Sequence, residues 1–303
     1  MDQPDVRTPS LLLKFLQRYL VLLLVTVSVA GFTATILLGL NPELAVVGAS
    51  VLSLGLVWRL ERLIPFRPDW NRNQGDLGVD LFSAAVLIAL VDPLLKLLFP
   101  LAVVWVYALA GWQPLGSKLS LWLEIVLVLG LIELGKYGSH RLHHSQLRLW
   151  WLHAMHHSSQ RLYVLNGLRF HPLNYCLNMT LALLPVMLLG ASPEALLGYL
   201  AITQPVVLIQ HANVDLRHGW LNWIFSTPEV HRWHHATEPD QANRNFGNAL
   251  MLWDHVFGTF KPAAGFTTDK PVGLFADSRA SYPASESYWT QLLSMFSPRC
   301  CAR

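Results

Sequence analysis

SHRLHHSQLRLWWLHAMHHS, residues 139–158, carries six of the chain's thirteen histidines: His140, His143, His144, His153, His156 and His157. A near copy of its second half returns downstream, where EVHRWHHAT places His231, His234 and His235. All thirteen histidines fall between His140 and His255, and the first 139 residues have none. On a helix, positions i, i+3 and i+4 share one face. His153, His156 and His157 are therefore expected to point one way, as are His140 with His144, and His231 with His234 and His235. Each group can offer several imidazoles to one point. Imidazole binds Fe, Zn, Cu and Ni, and a single catalytic zinc takes only three or four ligands. Eight clustered histidines exceed what one ion uses, so the pattern predicts two metals. His143 reads as a neighbour rather than a ligand, and His218 and His255 stand alone. No His-Glu-x-x-His occurs, which argues against a zinc protease.

Outward from this stretch the chain turns apolar. Tyr19 to Leu40 runs for 22 residues without a charge, long enough to span a hydrocarbon core of about 30 Å as a helix. Asn41-Pro42-Glu43 makes a turn, and Leu44 to Trp58 is a second apolar run that Arg59 and Arg62 can extend by snorkelling. Residues 59–80 are polar and hold four arginines, which marks a cytoplasmic loop. Leu81 to Gly111 is apolar but broken by Asp92-Pro93, Lys96 and Pro100, and one kinked crossing is the economical reading. Leu119 to Gly135 leads into the histidines. Beyond them, Leu177 to Leu189 and Ala195 to Ile209 are short for full spans and read as a hairpin returning to its starting face. The expected fold is an all-α integral membrane protein. It has about four transmembrane helices, a membrane hairpin over 177–209 and a cytoplasmic histidine-rich cap for two metals. Residues 1–135 form the transmembrane region, 136–260 the catalytic domain and 261–303 a C-terminal cytoplasmic tail.

Composition agrees with a membrane protein. Hydrophobic residues make up 53% and charged residues 14%, against about 25% charged in a soluble domain. The formal charge of +3 is too small and scattered to argue for nucleic acid. Three cysteines, Cys176, Cys300 and Cys301, give no disulfide framework and no Cys-x-x-Cys, which fits a reducing compartment.

The motifs resemble the fatty acid hydroxylase/sterol desaturase superfamily of integral-membrane di-iron enzymes. His140-Arg141-Leu142-His143-His144 is similar to that family's first box, whose outer histidines are used. His153-Ala154-Met155-His156-His157 and His231-Arg232-Trp233-His234-His235 are similar to its two His-x-x-His-His boxes. Arg169-Phe170-His171-Pro172, Gln210-His211-Ala212-Asn213, Asn245-Phe246-Gly247 and Trp253-Asp254-His255 resemble further motifs between and after the boxes. The resemblance runs from about Glu133 to Phe260, and Glu133 stands where many members have Asp.

The resemblance implies two irons held almost wholly by histidine. It also implies O2 as co-substrate and a lipid substrate reaching the site from the bilayer. No ferredoxin, flavin or cytochrome motif is present, so electrons are expected from a separate donor protein of the ferredoxin/reductase or cytochrome type. Hydroxylation is the leading reaction, with desaturation and alkylglycerol-type ether cleavage as alternatives and a membrane metal store as the non-enzyme alternative. Integral inner-membrane placement, with the site on the cytoplasmic side, completes the expectation for a bacterial chain. His171 and His211 flank the hairpin, which is expected to bring both to the boxes. Added to the eight box histidines they would give five ligands per metal and leave one octahedral position for O2. Glu133, Asp215, Asn245 and Asp254 are candidate hydrogen-bond acceptors for the outer ring N–H groups.

Overall fold

A computed structural model describes residues 10–111 and 118–296 of the chain; Cys300 and Cys301 lie outside them. The described residues form helices α1 (Leu11–Leu37), α2 (Pro42–Leu63), α3 (Leu77–Ala110), α4 (Leu121–Ser145), α5 (Leu147–His157), α6 (Pro172–Leu188) and α7 (Pro193–Ile209). Short helices α8 (Pro228–His234), α9 (Pro239–Ala242), α10 (Leu252–Val256), α11 (Ala276–Ser281) and α12 (Tyr288–Leu293) follow. Among the described residues the only β pairing is two isolated bridges, Phe225 with Leu250 and Ala236 with Val272. The protein is an all-α integral membrane protein.

Local chemistry sets the helix ends. Asn41, His171 and Ser192 each sit before a proline at the first helical turn, and each accepts a hydrogen bond from a first-turn N–H. Gly111 closes α3 in the left-handed region, at φ 64°. α3 runs unbroken through Asp92-Pro93 and Pro100, as one kinked crossing requires. A π-turn over Leu87–Val91, closed by Asp92 N donating to Leu87 O, immediately precedes Pro93, which has no N–H to donate. Three helices, α1, α2 and α3, are long and apolar enough to cross a membrane. The expected fourth span falls on α4, which is not among these three; its apolar stretch also carries Glu124, Glu133 and Lys136.

α1, α2 and α7 pack on one another, and α4 packs against α5, α6 and α7. Small residues permit the closest approaches, as expected between membrane helices. A Cβ on Gly135 of α4 would lie 2.6 Å from Ala182 Cα on α6, and one on Gly198 of α7 would lie 2.4 Å from Ile125 Cδ1 on α4. α6 and α7 do form a hairpin. Its return brings Pro172 and Ile209 to the end of α4 that carries His140 and His144. The arginine-rich loop arrives at the same end, where Phe66 N donates to Asn213 O at 3.2 Å and Arg67 N to Asn213 Oδ1 at 2.9 Å.

Candidate metal centre

The histidines converge into two groups lying side by side. His140 and His144 from α4, His153 and His157 from α5, and His234 from α8 form one; their ligand atoms lie within 4.8 Å of one another. His156 from α5, His211 just beyond α7, and His231 and His235 at α8 form the other, within the same distance. The groups share a wall, with the His157 ring stacked on His235 at 4.4 Å between centroids.

Each His-x-x-His-His box is divided between the groups, where the expectation had all three side chains aimed at one point. A helix turns about 100° per residue. Positions i and i+4 thus lie about 40° apart and positions i+3 and i+4 about 100° apart. His153 and His157 accordingly enter the first group while His156 enters the second; His231 and His235 enter the second while His234 crosses to the first.

Six rings are fixed through Nδ1. His140 donates to Phe246 O (2.9 Å), His144 to Asn243 Oδ1 (3.0 Å) and His153 to Asn174 Oδ1 (3.0 Å). His156 donates to Arg169 O (3.1 Å), His211 to Asn166 Oδ1 (2.9 Å) and His234 to Arg244 O (3.1 Å). A carbonyl or amide oxygen only accepts, so each of these rings holds its proton on Nδ1 and presents a lone pair at Nε2. His140 Nε2 and His153 Nε2 then face each other 3.1 Å apart with no proton between them. Two bare lone pairs at that distance repel unless a cation lies between. Ligands at about 2.1 Å from an ion and at right angles are about 3.0 Å apart, which matches.

Six further ring nitrogens are buried without any hydrogen-bond partner: His144 Nε2, His157 Nδ1 and Nε2, His231 Nδ1, His234 Nε2 and His235 Nδ1. Such orphaned groups are costly in a protein interior. Burial, reinforced by neighbouring charges, lowers all nine ring pKa values, His140 to about 4 and His211 to about 3. The rings are therefore neutral, as ligation requires. On donor set, tautomer and orphaned nitrogens, the residues present fit two transition-metal ions.

His171 does not join either group. Its Nδ1 accepts from Leu173 N at 3.1 Å as the cap of α6, and its Nε2 donates to Leu292 O at 3.1 Å. Both ring nitrogens are committed to backbone, which corrects the expectation of a tenth ligand. His143 donates from Nδ1 to Ser139 O and accepts from Asn174 Nδ2 at 2.7 Å, orienting the amide that holds His153. His218 pairs with Glu229 at 2.7 Å, and His255 lies exposed against Trp223 O.

None of the four candidate acceptors touches a ligand ring. Glu133 receives Ala249 N, Leu250 N, Asn248 Nδ2 and Tyr199 OH, and Asp215 receives Gln17 and Arg217. Asn245, at φ 55°, bonds Val230 O and the Lys261 backbone. Asp254 acts at one remove: it binds Phe246 N, Gly247 N and Thr259 Oγ1, and so fixes the Phe246 carbonyl that His140 uses. The acceptors that do touch the rings are the side chains of Asn166, Asn174 and Asn243 and three main-chain carbonyls. No spacing rule marks the former, and carbonyls carry no side-chain signature.

Residues 125–259 match the family described as Fatty acid hydroxylase. An ornithine lipid hydroxylase of Rhizobium tropici is 36% identical over 230 residues, covering 72% of this chain and 67% of that enzyme. An alkylglycerol monooxygenase of Danio rerio is 28% identical over 177 residues, 54% of this chain and 36% of that enzyme. A 52-residue stretch is 40% identical to the alkylglycerol monooxygenase of Xenopus tropicalis, 17% of this chain and 12% of that enzyme. No solved structure matches the chain.

Proposed function

The chain belongs to the fatty acid hydroxylase family, whose members are metal-dependent oxygenases acting on lipids, and from that premise we propose a di-iron lipid hydroxylase held by nine histidines. His140, His144, His153, His157 and His234 would hold one iron, and His156, His211, His231 and His235 the other. The observation that carries this reading is the His140–His153 pair, whose facing lone pairs call for a cation between them. Bound iron would supply O2 activation: with two electrons and two protons, one oxygen atom enters a lipid C–H bond as hydroxyl and the other leaves as water.

The chain's own part is to hold nine neutral rings and to exclude bulk water, since seven of the nine are buried and only His140 and His144 are half-buried. The external donor would deliver its electrons to the face formed by the cap. Arg59, Arg62, Arg67 and Arg72 lie on the histidine side of the spans. By the positive-inside rule this supports a cytoplasmic centre and, in a bacterium, the inner membrane.

The R. tropici relative, by its name an ornithine lipid hydroxylase, favours an amino-acid-containing lipid as substrate. The alkylglycerol monooxygenase relatives favour ether-lipid cleavage as a second reading, over a shorter part of the chain. Lipid mass spectrometry of cells with and without the protein separates these. A gain of one oxygen on an intact lipid is expected. Loss of two hydrogens would indicate desaturation, and loss of an ether chain the second reading.

A further inference from the structure

Residues 211–303 hold no long apolar run, yet two segments of this region descend alongside the membrane helices. Trp253 Nε1 on α10 donates to Gly130 O of α4 at 3.1 Å. Gly130 lies ten residues before His140, about 15 Å down the helix from the metal centre. The loop leading there is tied at Glu133, which receives Ala249 N at 2.9 Å and Leu250 N at 2.8 Å, and Phe257 stacks on Tyr137 at 5.2 Å. On the other side, Arg217 N donates to Gln17 O at 2.8 Å and Val21 N to His218 Nε2 at 3.3 Å, well inside α1. The two segments meet in the Phe225–Leu250 bridge, where Met251 N donates to Ile224 O and Ser226 N to Ala249 O.

The outer surface of this unit is apolar apart from His255, whose ring stacks on Trp223 and whose Nε2 is bonded to Trp223 O. Trp220, Trp223, Ile224, Leu252, Val256 and Phe257 are each between 43% and 59% exposed. This face continues the exposed apolar face of α4 at Val126, Leu127 and Leu131. Exposed Arg141 and Arg244 border it on the metal side, bonded to Tyr137 OH and Gly258 O, and Arg217 stands three residues before Trp220. Tryptophans with flanking arginines are what an interface between hydrocarbon and headgroups selects. A patch of six large apolar side chains is unusual on a surface facing water. Much of the backbone at this depth is paired, including Phe225 N with Leu221 O, His255 N with Met251 O and Phe257 N with Trp253 O, as lipid demands.

We propose that residues 219–225 and 250–257 form a re-entrant foot embedded in the leaflet on the metal side, with acyl chains as its partner and the three arginines at headgroup level. The test places a nitroxide at Trp223, Leu252 or Val256, each replaced by cysteine in a full-length chain whose native cysteines are serine. The protein sits in nanodiscs of phosphatidylcholine and phosphatidylglycerol. Because these side chains are exposed, labelling leaves the core untouched, and size-exclusion profiles check assembly. Collisions with O2 should exceed those with a nickel chelate at all three positions, as they should at Val104 in α3, and the ratio should invert at exposed Glu238 on the cap. An inverted ratio at 223, 252 and 256 would overturn the foot. So would protection from both reagents, which would mean that another protein surface covers the face.

Discussion

Asn174→Ala should weaken one metal and spare the other. Asn174 is fully buried, accepts His153 Nδ1–H at 3.0 Å and donates to His143 Nε2 at 2.7 Å. Truncation leaves both ring nitrogens without partners, at about 1–3 kcal/mol each. It also frees the His153 ring to rotate and to change tautomer. Losing the acceptor behind a ligating histidine lowers metal affinity by about 10–100-fold, or about 1.4–2.7 kcal/mol. His156, His211, His231 and His235 do not contact Asn174, so their ion should be retained as in the native protein. The assay is metal analysis of iron-loaded protein after dialysis against graded chelator. Two ions per chain are expected initially, followed by early loss of one from the variant. A release curve superimposable on the native one, or loss of both ions in one step, would refute the reasoning about the His143–Asn174–His153 relay.

His211→Ala leaves three imidazoles in the second group and all five in the first, so iron content should fall from two to one per chain with loss of hydroxylation. Retention of both ions would remove His211 from the ligand set. His171→Ala should keep both ions and cost about 1 kcal/mol as a lost helix cap, read as a small drop in Tm; loss of an ion would restore His171 as a ligand. Asp76 accepts three hydrogen bonds from Arg161, at 2.8 to 3.1 Å. Burial pushes its carboxyl up, but the Arg161 hydrogen bonds and charge outweigh it and the net shift is downward. A lowered folded pKa contributes stability above the unfolded value, near 3.9, and that contribution is lost as pH falls through the folded one. Asp76→Asn should therefore cost about 2 kcal/mol at neutral pH, below the 3–5 kcal/mol of a fully enclosed pair because 13% of the Asp76 side chain stays exposed. The difference should close in acid, below the ordinary carboxylate range; equal denaturation midpoints at pH 7 would contradict it.

The three boxes and the hairpin are legible in the sequence because each is written in side-chain identity and spacing. The division of each box is also implicit in helical geometry, since His156 and His157 point about 100° apart; treating one face as one target hides it. His171 shows the opposite limit. It lies in a family-like motif at the correct end of the hairpin, yet the same position before Pro172 makes it a helix cap. The carbonyls of Phe246, Arg169 and Arg244 could not be read at all, because any residue supplies one. The descent of α10 along α4 was equally hidden. Leu252 to Val256 is far too short to register as a membrane segment, and only the Trp253–Gly130 and Glu133 contacts reveal its depth.

The central claim is that nine histidines hold two irons that put oxygen into a lipid. The most direct measurement supplies 18O2, reductant and donor protein to the iron-loaded chain in nanodiscs made from lipids of its native membrane, with metal analysis on the same sample. Two irons per chain and a lipid product carrying one 18O atom are predicted, both lost in His140→Ala. A lipid product without 18O, or one 18O-labelled product from a chain holding a single iron, would contradict the account.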